Sequence, residues 1–483
     1  MRKHRITLLK SQEIELKEWL VNHPENNERG AFVLFRQLAK PAGDLPVSHR
    51  FLLVEIIRLE NDWVIDSSET HLTINMRNLP ELFFRCESEN LVLGFIHNHP
   101  NGYSNFSSRD DRNELNILKG LSSSNGQSLL ISLVLTENKW IARIRSSEDS
   151  KTIIPVKHVS VLGKSIELHN INLEEENSES TKRQEAAFGK PFNSKLKSLR
   201  VAVVGSGGTG SPLSILLARS GVGELILIDD DTLDKSNMNR VFGFKGKDVG
   251  KKKSISLAKH IKKLGLGTKV ISIEGYLHES PEALDALSSA DVIFGCTDDL
   301  KGRDIMNQAL YYYAQIYIDT GLTGFVDMDS DGYPYLRDHR GRVSCILPEF
   351  GACLRCQNIV KDEWIEFENA TKENPALLEL DTETLRKEHY LIGGGEQAPG
   401  VGPFTSMTAS NAMATFMNLI RQFRMTSSDL RLDNVWIDFI HLYFHSNEPD
   451  NNPDCIYCRK QDLLMKEEVK YRLDMPSLGE FQK

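Results

Sequence analysis

The most constraining feature of this sequence is a regular alternation of strand-like and helix-like segments that begins near Leu199. Short runs rich in Val, Ile and Leu (RVAVVG, ELILID, KVISIEG and ADVIFGCTD) alternate with helix-like runs such as SPLSILLARSG and KKKSISLAKHIKKLG. Strands that alternate with helices in this way are typical of a parallel sheet with helices on both faces. The alternation therefore predicts a doubly wound α/β fold for this part of the chain.

A glycine-rich turn, GSGGTG, joins the first strand of this alternation to its first helix. Its bare backbone allows a phosphate group to approach the N-terminus of the helix. The glycines are Gly205, Gly207, Gly208 and Gly210. Such turns also bind nicotinamide dinucleotides, so the turn alone leaves a dehydrogenase as the rival interpretation.

The polar residues that follow the glycine turn favour a nucleoside triphosphate. In chain order they are Asp229, Asp231, Asn237, Arg240, Lys253 and Asp298. The two aspartates after the second strand are placed for the ribose. Arg240 and Lys253 supply the positive charge that a triphosphate requires, and Asp298 supplies a carboxylate for its magnesium ion. A dehydrogenase needs no such set of cations.

Four of the seven cysteines form two C-x-x-C pairs, Cys353 with Cys356 and Cys455 with Cys458. In a reducing compartment such pairs indicate zinc before disulfides, and four thiolates make a closed structural site. The long stretch between the two pairs leaves an alternative open, in which the four cysteines are buried and unconnected.

The ordered set of glycine loop, D-x-D, N-x-N-R, G-x-x-K, C-T-D and two C-x-x-C pairs resembles the ubiquitin-activating-enzyme superfamily, in particular the bacterial sulfur-carrier adenylyltransferases. The resemblance covers about residues 182–460. It implies a Rossmann-like domain that uses ATP and Mg²⁺ to adenylate the C-terminal glycine of a ubiquitin-like protein. It also implies a homodimer, because Arg183 matches an arginine that in the family reaches the nucleotide site of the other subunit. A conjugating enzyme would be a further partner.

The sequence departs from this family where its conjugating members carry a nucleophilic cysteine. The corresponding run, GGGEQAPGVGPFTSMTASNAMATF, contains no cysteine. Cys345 is a candidate nucleophile elsewhere, whereas Cys296 matches an ordinary core cysteine of the family. A hydroxyl of Thr405 or Ser406 is a weaker candidate, because an unactivated alcohol is a poor nucleophile. The remaining alternative is direct transfer of the adenylate to another enzyme.

The first third of the chain has a different pattern. The runs GAFVLF, RFLLVEII, NLVLGFI and QSLLISLVL are predicted strands, and SQEIELKEWLVNH is a predicted helix. The polar stretch NINLEEENSEST has no hydrophobic periodicity and is typical of an exposed linker. We therefore predict a mixed α/β domain over residues 1–165, an acidic linker over 166–181 and the nucleotide-binding domain over 182–483.

A histidine pair follows the predicted strand NLVLGFI. His97 and His99 are two residues apart, so both project from the same face at the end of a strand and can reach one ion. Asp110, in an S-x-x-D segment that begins at Ser107, offers a third ligand. Three nitrogen and oxygen ligands leave a fourth tetrahedral position for water, as in catalytic zinc sites. Taken singly, an H-x-H pair is typical of structural histidines and S-x-x-D is typical of a helix cap.

The full spacing H-x-H-P-x6-S-x-x-D resembles the JAMM (MPN) metalloprotease family, whose members cleave ubiquitin-like proteins from their attachments. The resemblance covers about residues 1–165. It implies that the two histidines and Asp110 bind a catalytic zinc ion and that Ser107 helps to stabilise the oxyanion. It also implies a glutamate that shuttles a proton. Glu28 is the best match and Glu25 the fallback, and the alternative for Glu28 is a solvated loop carboxylate.

Composition argues against two classes of partner. The chain has 483 residues, a net charge of −9 and 26% charged residues. We expect no nucleic-acid partner, since such proteins usually carry a basic surplus. We also expect no membrane contact and a cytoplasmic location, because no apolar run is long enough to span a bilayer and the start lacks a signal-peptide pattern.

Together the motifs predict a bifunctional enzyme that adenylates a ubiquitin-like protein and cleaves the same class of protein. The leading alternative is sulfur-carrier activation for cofactor or amino-acid synthesis, in which the protease trims the carrier. A third hypothesis is a non-catalytic scaffold that binds the carrier. The hypothesis ranked last is a nicotinamide oxidoreductase.

Overall fold

The computed structural model describes residues 4–38, 49–125, 129–171, 179–380, 385, 400–425, 431, 433–450, 452–461 and 464–465. The chain divides into two compact units, Met1–Glu175 and Glu176–Lys483. Each unit is built around its own eight-stranded sheet, the layered architecture expected of separate domains.

The first unit combines strands with three helices among its described residues. The strands are β1 (His4–Leu9), β2 (Gly30–Gln37), β3 (Arg50–Arg58), β4 (Val64–Ser68), β5 (His71–Ile74), β6 (Leu91–Asn98), β7 (Leu129–Thr136), β8 (Lys139–Ser146), β9 (Ile153–Leu162) and β10 (Ile166–His169). The helices are α1 (Lys10–Val21), α2 (Leu79–Ser88) and α3 (Ser108–Asn125).

The large sheet of this unit closes on itself. Its order is β1-β3-β2-β6-β7-β8-β9-β10, and β1 pairs with both β3 and β9. One apolar cluster packs α1 against the sheet around Trp140, and a second packs α2 and α3 against the other residues of β2 and β6. Burial on both sides explains why these central strands read as continuous apolar runs.

The predicted strands correspond to β2, β3, β6 and β7, and the predicted helix corresponds to α1. Strand β1, which is short and begins with two basic residues, was not predicted. Residues 166–169 were predicted to belong to the linker, whereas they form β10 and pair with β9. Residues 172–178 of the predicted linker lie outside the described residues.

The second unit contains the alternating segments. Its strands are β11 (Arg200–Val204), β12 (Glu224–Ile228), β13 (Lys269–Ile273), β14 (Val292–Gly295), β15 (Ile316–Met328), β16 (Pro334–Ile346), β17 (Val435–Asp438) and β18 (Tyr443–Ser446). Its helices are α4 (Lys182–Phe188), α5 (Lys190–Ser198), α6 (Gly210–Arg219), α7 (Lys253–Lys263), α8 (Pro281–Ser288), α9 (Leu300–Tyr312), α10 (Asp362–Glu373) and α11 (Gly402–Ile420).

The sheet of the second unit has the order β13-β12-β11-β14-β15-β16-β17-β18. The strands from β13 to β15 are parallel, which confirms the predicted Rossmann-like α/β fold. The last three strands are antiparallel and extend the sheet beyond the predicted alternation. The order reverses between β11 and β14, and ligands of such sheets bind at the carboxyl ends of the strands near this point.

Within the ranges described, every helix is too short or too polar to cross a bilayer.

Candidate functional sites

The first candidate site lies at the carboxyl end of β6, where two histidines face the start of α3. The Nε2 atoms of His97 and His99 are 3.2 Å apart. Asp110 places Oδ1 3.1 Å from His97 Nε2 and Oδ2 3.4 Å from His99 Nε2. The three side chains are almost wholly buried. The structure therefore brings the three predicted ligands together at one point.

The spacing of these atoms fits a tetrahedral metal ion. Bonds of about 2.0–2.1 Å to nitrogen and oxygen place neighbouring ligand atoms roughly 3.3 Å apart, close to the separations observed. His99 Nδ1 lies 2.9 Å from the carbonyl oxygen of Tyr103. A carbonyl oxygen only accepts, so Nδ1 carries the proton and Nε2 keeps its lone pair for the metal. This set of donors can hold zinc.

Ser107 and Asp110 cap the first turn of α3. The Ser107 backbone N–H donates to Asp110 Oδ2 at 2.6 Å, and the Asp110 backbone N–H donates to Ser107 Oγ at 3.2 Å. The Ser107 hydroxyl accepts in this pair, so its own hydrogen remains available to a ligand. Burial acts to raise the pKa of Asp110, but hydrogen bonds from His97 and His99 outweigh it and hold that pKa well below its usual range.

Glu28 lies just before β2 and is only 6% exposed. Its backbone N–H donates to the Ser68 carbonyl at 2.7 Å. Gly30 of β2 pairs with His97 of β6. This pairing brings Glu28 near the predicted metal ligands, and the charges of His97 and His99 lower its pKa against the effect of burial. Burial raises the pKa of Glu28. Glu25, in contrast, is exposed and bonded to Asn27.

A group of charged residues behind the ligand turn was missed by the sequence analysis. Glu114, on the same helix as Asp110, is fully buried and accepts hydrogen bonds from Arg143 at 3.0 Å and from Arg145 at 2.8 Å. The Arg143 guanidinium also lies 3.9 Å from the centre of the Phe106 ring. Phe106 and Glu114 flank the Ser107 turn, so their contacts with the two arginines hold this turn against β8. No local pattern indicates that Arg143 and Arg145, on a strand, will contact Glu114 on a distant helix.

The second candidate site lies at the carboxyl ends of β11, β12 and β14. The loop after β11 needs glycine at two places: Gly205 has φ +93°, and a Cβ on Gly210 would lie 1.9 Å from the Gly205 carbonyl oxygen. A Cβ on Gly207 would meet nothing within 4 Å, and one on Gly208 would touch Arg240. The space in front of Gly207 is therefore open to a ligand.

Asp229 follows β12 directly and supports the glycine loop. Its Oδ2 accepts from the Ser206 backbone N–H at 2.5 Å, and its Oδ1 accepts from the Asp231 backbone N–H at 2.7 Å. It is buried, and burial raises its pKa to about 6. Asp229 is 9% exposed and the Asp231 side chain is 50% exposed, so Asp231 is the more accessible carboxylate of the pair.

Asp231 is oriented by two side chains. Lys253 Nζ donates to Asp231 Oδ2 at 2.8 Å, and Tyr276 Oη donates to Oδ1 at 2.9 Å. The Asp231 side chain is still 50% exposed. Burial acts to raise the pKa of Asp231, but the hydrogen bond with Lys253 and its charge outweigh it and lower that pKa. Tyr276 was not among the predicted site residues.

Arg240 lies over the glycine loop. Its side chain would contact a Cβ on Gly208 or on Gly400, and its Nη1 donates to the Ser236 carbonyl at 3.1 Å. Asn237 closes the preceding turn, since its Oδ1 accepts from the Asp234 backbone N–H at 3.1 Å. The Arg240 backbone N–H donates to the Asn237 carbonyl at 3.0 Å, so this turn positions Arg240.

Asp298 and Asp299 follow β14 and have different surroundings. Asp299 caps α9 by accepting from the Gly302 backbone N–H at 2.9 Å, and it lies 3.5 Å from Lys372 Nζ. Asp298 is exposed. Its carboxylate forms no hydrogen bond with any residue that the structure describes, so it is available to a cation. Arg183 is exposed on α4.

The two C-x-x-C pairs come together in the second unit. Cys353 and Cys455 have Sγ atoms 3.7 Å apart, and Cys458 Sγ lies 3.6 Å from that of Cys356 and 3.7 Å from that of Cys455. Zinc–sulfur bonds of about 2.3 Å place the corners of a tetrahedron roughly 3.8 Å apart. The four thiols therefore have the geometry of a structural zinc site.

The candidate nucleophiles have unfavourable surroundings. Cys345 lies in β16 and is 5% exposed, and burial raises its pKa to about 12. Burial likewise raises the pKa of Cys296 to about 12. Thr405 is buried and donates to the Gly402 carbonyl at 3.0 Å, and the Ser406 hydroxyl is buried in α11. Residues 393–399 of the corresponding run lie outside the described residues.

Comparison with known proteins gives relatives over part of the chain. The chain is 30% identical over 178 residues to the vegetative HesA protein of Trichormus variabilis, covering 37% of this chain and 61% of that protein. It is 33% identical over 132 residues to the sulfur carrier protein ThiS adenylyltransferase of Escherichia coli, covering 27% and 52%. It is 28% identical over 162 residues to the SAMP-activating enzyme E1 of Haloferax volcanii, covering 34% and 54%.

The chain thus spans between about half and three fifths of the length of these curated relatives. Among solved structures it is similar to Escherichia coli MccB crystallised with succinimide, at 22% identity and a TM-score of 0.43, covering 58% of this chain and 75% of that one. The ThiF family matches residues 181–456. Since this match covers more than half of the sequence, the chain belongs to the ThiF family.

Proposed function

We propose that this chain is a bifunctional enzyme of a ubiquitin-like or sulfur-carrier pathway. The second unit adenylates the C-terminal glycine of a small carrier protein with ATP and Mg²⁺, and the first unit is a JAMM-type zinc peptidase or isopeptidase that acts on the same class of protein. One observation supports the proposal most strongly: each unit gathers a complete set of reactive groups from distant parts of its sequence.

Adenylation follows from the groups around the glycine loop. Asp229 and Asp231 would bind the ribose. Arg240 and Lys253 would bind the phosphates, and Asp298 the magnesium ion of MgATP. A carboxylate oxygen of the carrier's terminal glycine attacks the α-phosphorus, and the bond from that phosphorus to the β-phosphate oxygen breaks. The products are an acyl adenylate and pyrophosphate. Positioning and fixed charges supply most of the rate, because the protein forms no covalent bond in this step.

Peptide cleavage follows from the groups around His97. A zinc ion held by His97, His99 and Asp110 would polarise the scissile carbonyl and lower the pKa of a water molecule. Glu28 accepts a proton from the attacking water and returns it to the leaving amine, a role that its burial beside the ligands suits. Ser107 donates its free hydroxyl hydrogen to the carbonyl oxygen as negative charge develops there.

The fate of the adenylate favours direct transfer over an enzyme thioester. Cys345 and Cys296 are thiols of raised pKa, so neither provides the thiolate that a nucleophile requires. The adenylate would pass to a separate conjugating enzyme or to a sulfur donor. The second option gives sulfur-carrier activation as the alternative function, and ThiS adenylyltransferase is among the relatives.

We also propose a homodimer in which Arg183 reaches the nucleotide site of a second copy.

The decisive test is intact-mass spectrometry of the ubiquitin-like protein encoded nearest to this gene, mixed with the purified chain, ATP and Mg²⁺. We expect an ATP-dependent gain of one AMP on the carrier, and its loss in Asp298→Ala. Shortening of the carrier without ATP reports the peptidase. A carrier unchanged in mass, together with no exchange between pyrophosphate and ATP, would contradict adenylation. A thiocarboxylate on the carrier would favour sulfur transfer over conjugation.

The four-cysteine site gives a further prediction. Cys455→Ser should remove one of two zinc ions per chain and lower the unfolding temperature of the second unit by roughly 10 °C or more, since structural zinc contributes on the order of 10 kcal/mol to folding. Zinc content and thermal unfolding measure both effects. Cys345→Ser is the matched control, because this buried cysteine of the same unit lies outside the cluster. Equal zinc content in both variants would contradict the site.

A further inference from the structure

The start of α9 is held by a side chain from a distant helix. Asp298, the proposed magnesium ligand, lies two residues before Leu300, the first residue of α9. The Leu300 backbone N–H donates to Glu368 Oε2 of α10 at 2.7 Å. We propose that Glu368 is a positioning residue that raises the affinity of the site for magnesium-bound nucleotide by fixing the backbone beside Asp298. This inference rests on the proposed binding of MgATP by the second unit.

The exposed carboxylate of Asp298 has no hydrogen-bond partner among the described residues, so the backbone around it decides where it points. Two local contacts shape this backbone. The Asp299 N–H donates to Thr297 Oγ1 at 3.2 Å, and Asp299 Oδ2 accepts from the Gly302 N–H at 2.9 Å. The bond from Leu300 to Glu368 adds a contact from a residue 68 positions away in sequence. It therefore fixes the turn from outside.

Glu368 fills a position that the helix itself leaves open. The first N–H groups of a helix have no acceptor within it, and a carboxylate there accepts a charge-assisted bond. The Glu368 side chain is 19% exposed, and its Oε1 accepts from Lys372 Nζ, one turn later on α10, at 2.6 Å. Lys372 Nζ also lies 3.5 Å from Asp299 Oδ1. The lysine thus offsets the charge of two carboxylates at the start of α9.

Helix α10 is itself fixed to α9 by Arg355, which lies between the cysteines of the first C-x-x-C pair. Its guanidinium donates to the buried carboxylate of Asp304, on α9, at 2.9 and 3.0 Å. It also donates to Asp362, the first residue of α10, at 3.0 and 2.8 Å. Bidentate pairs of this kind fix orientation as well as distance. Arg355 therefore holds the start of α10, and Lys372 holds its last turn.

We expect removal of the acceptor to affect magnesium-bound nucleotide selectively. Wild-type chain should bind ATP more tightly with Mg²⁺ than without it, because Asp298 is available to the ion. Glu368→Ala should weaken binding of MgATP roughly tenfold, as for partners that orient a metal ligand, and leave binding of metal-free ATP unchanged. Calorimetric titration of the full-length chain with ATP, in buffers with and without Mg²⁺, measures both affinities.

Two further variants separate the hydrogen bond from the charge. Glu368→Gln loses the charge but keeps an oxygen that can accept from Leu300, so it should bind MgATP within about threefold of wild type, since a partly exposed ion pair contributes little. Glu368→Asp keeps the charge but is one carbon shorter, so it should resemble Glu368→Ala. The opposite order, with Glu368→Asp normal and Glu368→Gln as weak as Glu368→Ala, would overturn the inference.

Zinc content and thermal unfolding show whether the second unit remains folded in each variant. Glu373→Gln, at an exposed position at the end of the same helix, should change neither affinity. Equal weakening of MgATP and metal-free ATP by Glu368→Ala, or weakening of neither, would overturn the inference while ATP binding stands. A wild-type chain that binds no ATP in either buffer would overturn the proposed function together with it.

Discussion

Glu28→Gln should lower the rate at which the first unit cleaves a ubiquitin-like substrate by about 100-fold to 10,000-fold, the usual contribution of a general base. The amide has nearly the shape of the carboxylate but cannot accept the proton of the attacking water. Zinc binding should persist, because His97, His99 and Asp110 supply the ligands. The measurement is kcat and KM for a carrier with a C-terminal extension, with zinc content determined for each preparation.

Glu25→Gln is the matched control for this prediction. The two glutamates are three residues apart, but Glu25 is exposed and bonded to Asn27, whereas Glu28 is buried beside the ligands. We expect Glu25→Gln to retain activity within about twofold, as for other exposed substitutions. Equal losses in the two variants, or full activity in Glu28→Gln with zinc bound, would show that the base lies elsewhere.

Lys253→Ala should lower the rate of carrier adenylation by about 100-fold or more, the range found when one preorganised donor to a charged transition state is removed. Lys253 is only 11% exposed, and its ammonium group lies 2.8 Å from Asp231 Oδ2. Removing it takes away both a cation for the phosphates and one support of the proposed ribose ligand. Exchange of pyrophosphate into ATP in the presence of carrier measures the effect.

Lys252→Ala provides the comparison for Lys253→Ala. The two lysines are adjacent and each pairs with an aspartate of the same loop, but Lys252 Nζ lies 3.1 Å from Asp230 and its side chain is 34% exposed. We expect Lys252→Ala to lower the rate less than about threefold, because an exposed ion pair contributes little. Similar rates in the two variants would remove Lys253 from the proposed mechanism.

The covalent connection of the two units places both proposed activities in one chain. Both activities would act on the C-terminal glycine of one class of carrier. A carrier released by one unit would meet the other at a high effective concentration, provided that the linker allows it. Separating the units by cleavage within residues 172–178 and measuring both rates would test whether the connection matters.

Some of the fold followed directly from sequence because its signals are local. The alternation after Leu199 is a property of neighbouring residues, and it correctly predicted the parallel strands and the glycine loop. The antiparallel strands β16 to β18 were not predicted, since their pairing joins residues as far apart as Arg340 and Asp438. Likewise β1 has no clear alternation, and its place is set by pairing with β3 and β9.

The candidate sites likewise combine motifs that are visible in local sequence with contacts that only the fold creates. Spacing within one segment determined His97, His99 and Asp110, because a strand end and a helix start impose fixed directions on residues two and three apart. The C-x-x-C pairs were recognisable individually for the same reason. That the pairs meet, with Cys353 beside Cys455, is decided by the course of the chain between them.

The strand–helix alternation, the glycine loop and the short ligand motifs were therefore recognisable from local sequence alone. Contacts between distant elements fix the other features: Glu28 is buried while Glu25 is exposed, Asp229 is buried under the glycine loop while Asp231 is half exposed, and Tyr276 reaches Asp231. The physical reason is that burial, hydrogen-bond partners and pKa depend on neighbours from other elements, and no local pattern encodes which distant backbone or side chain will fill that space.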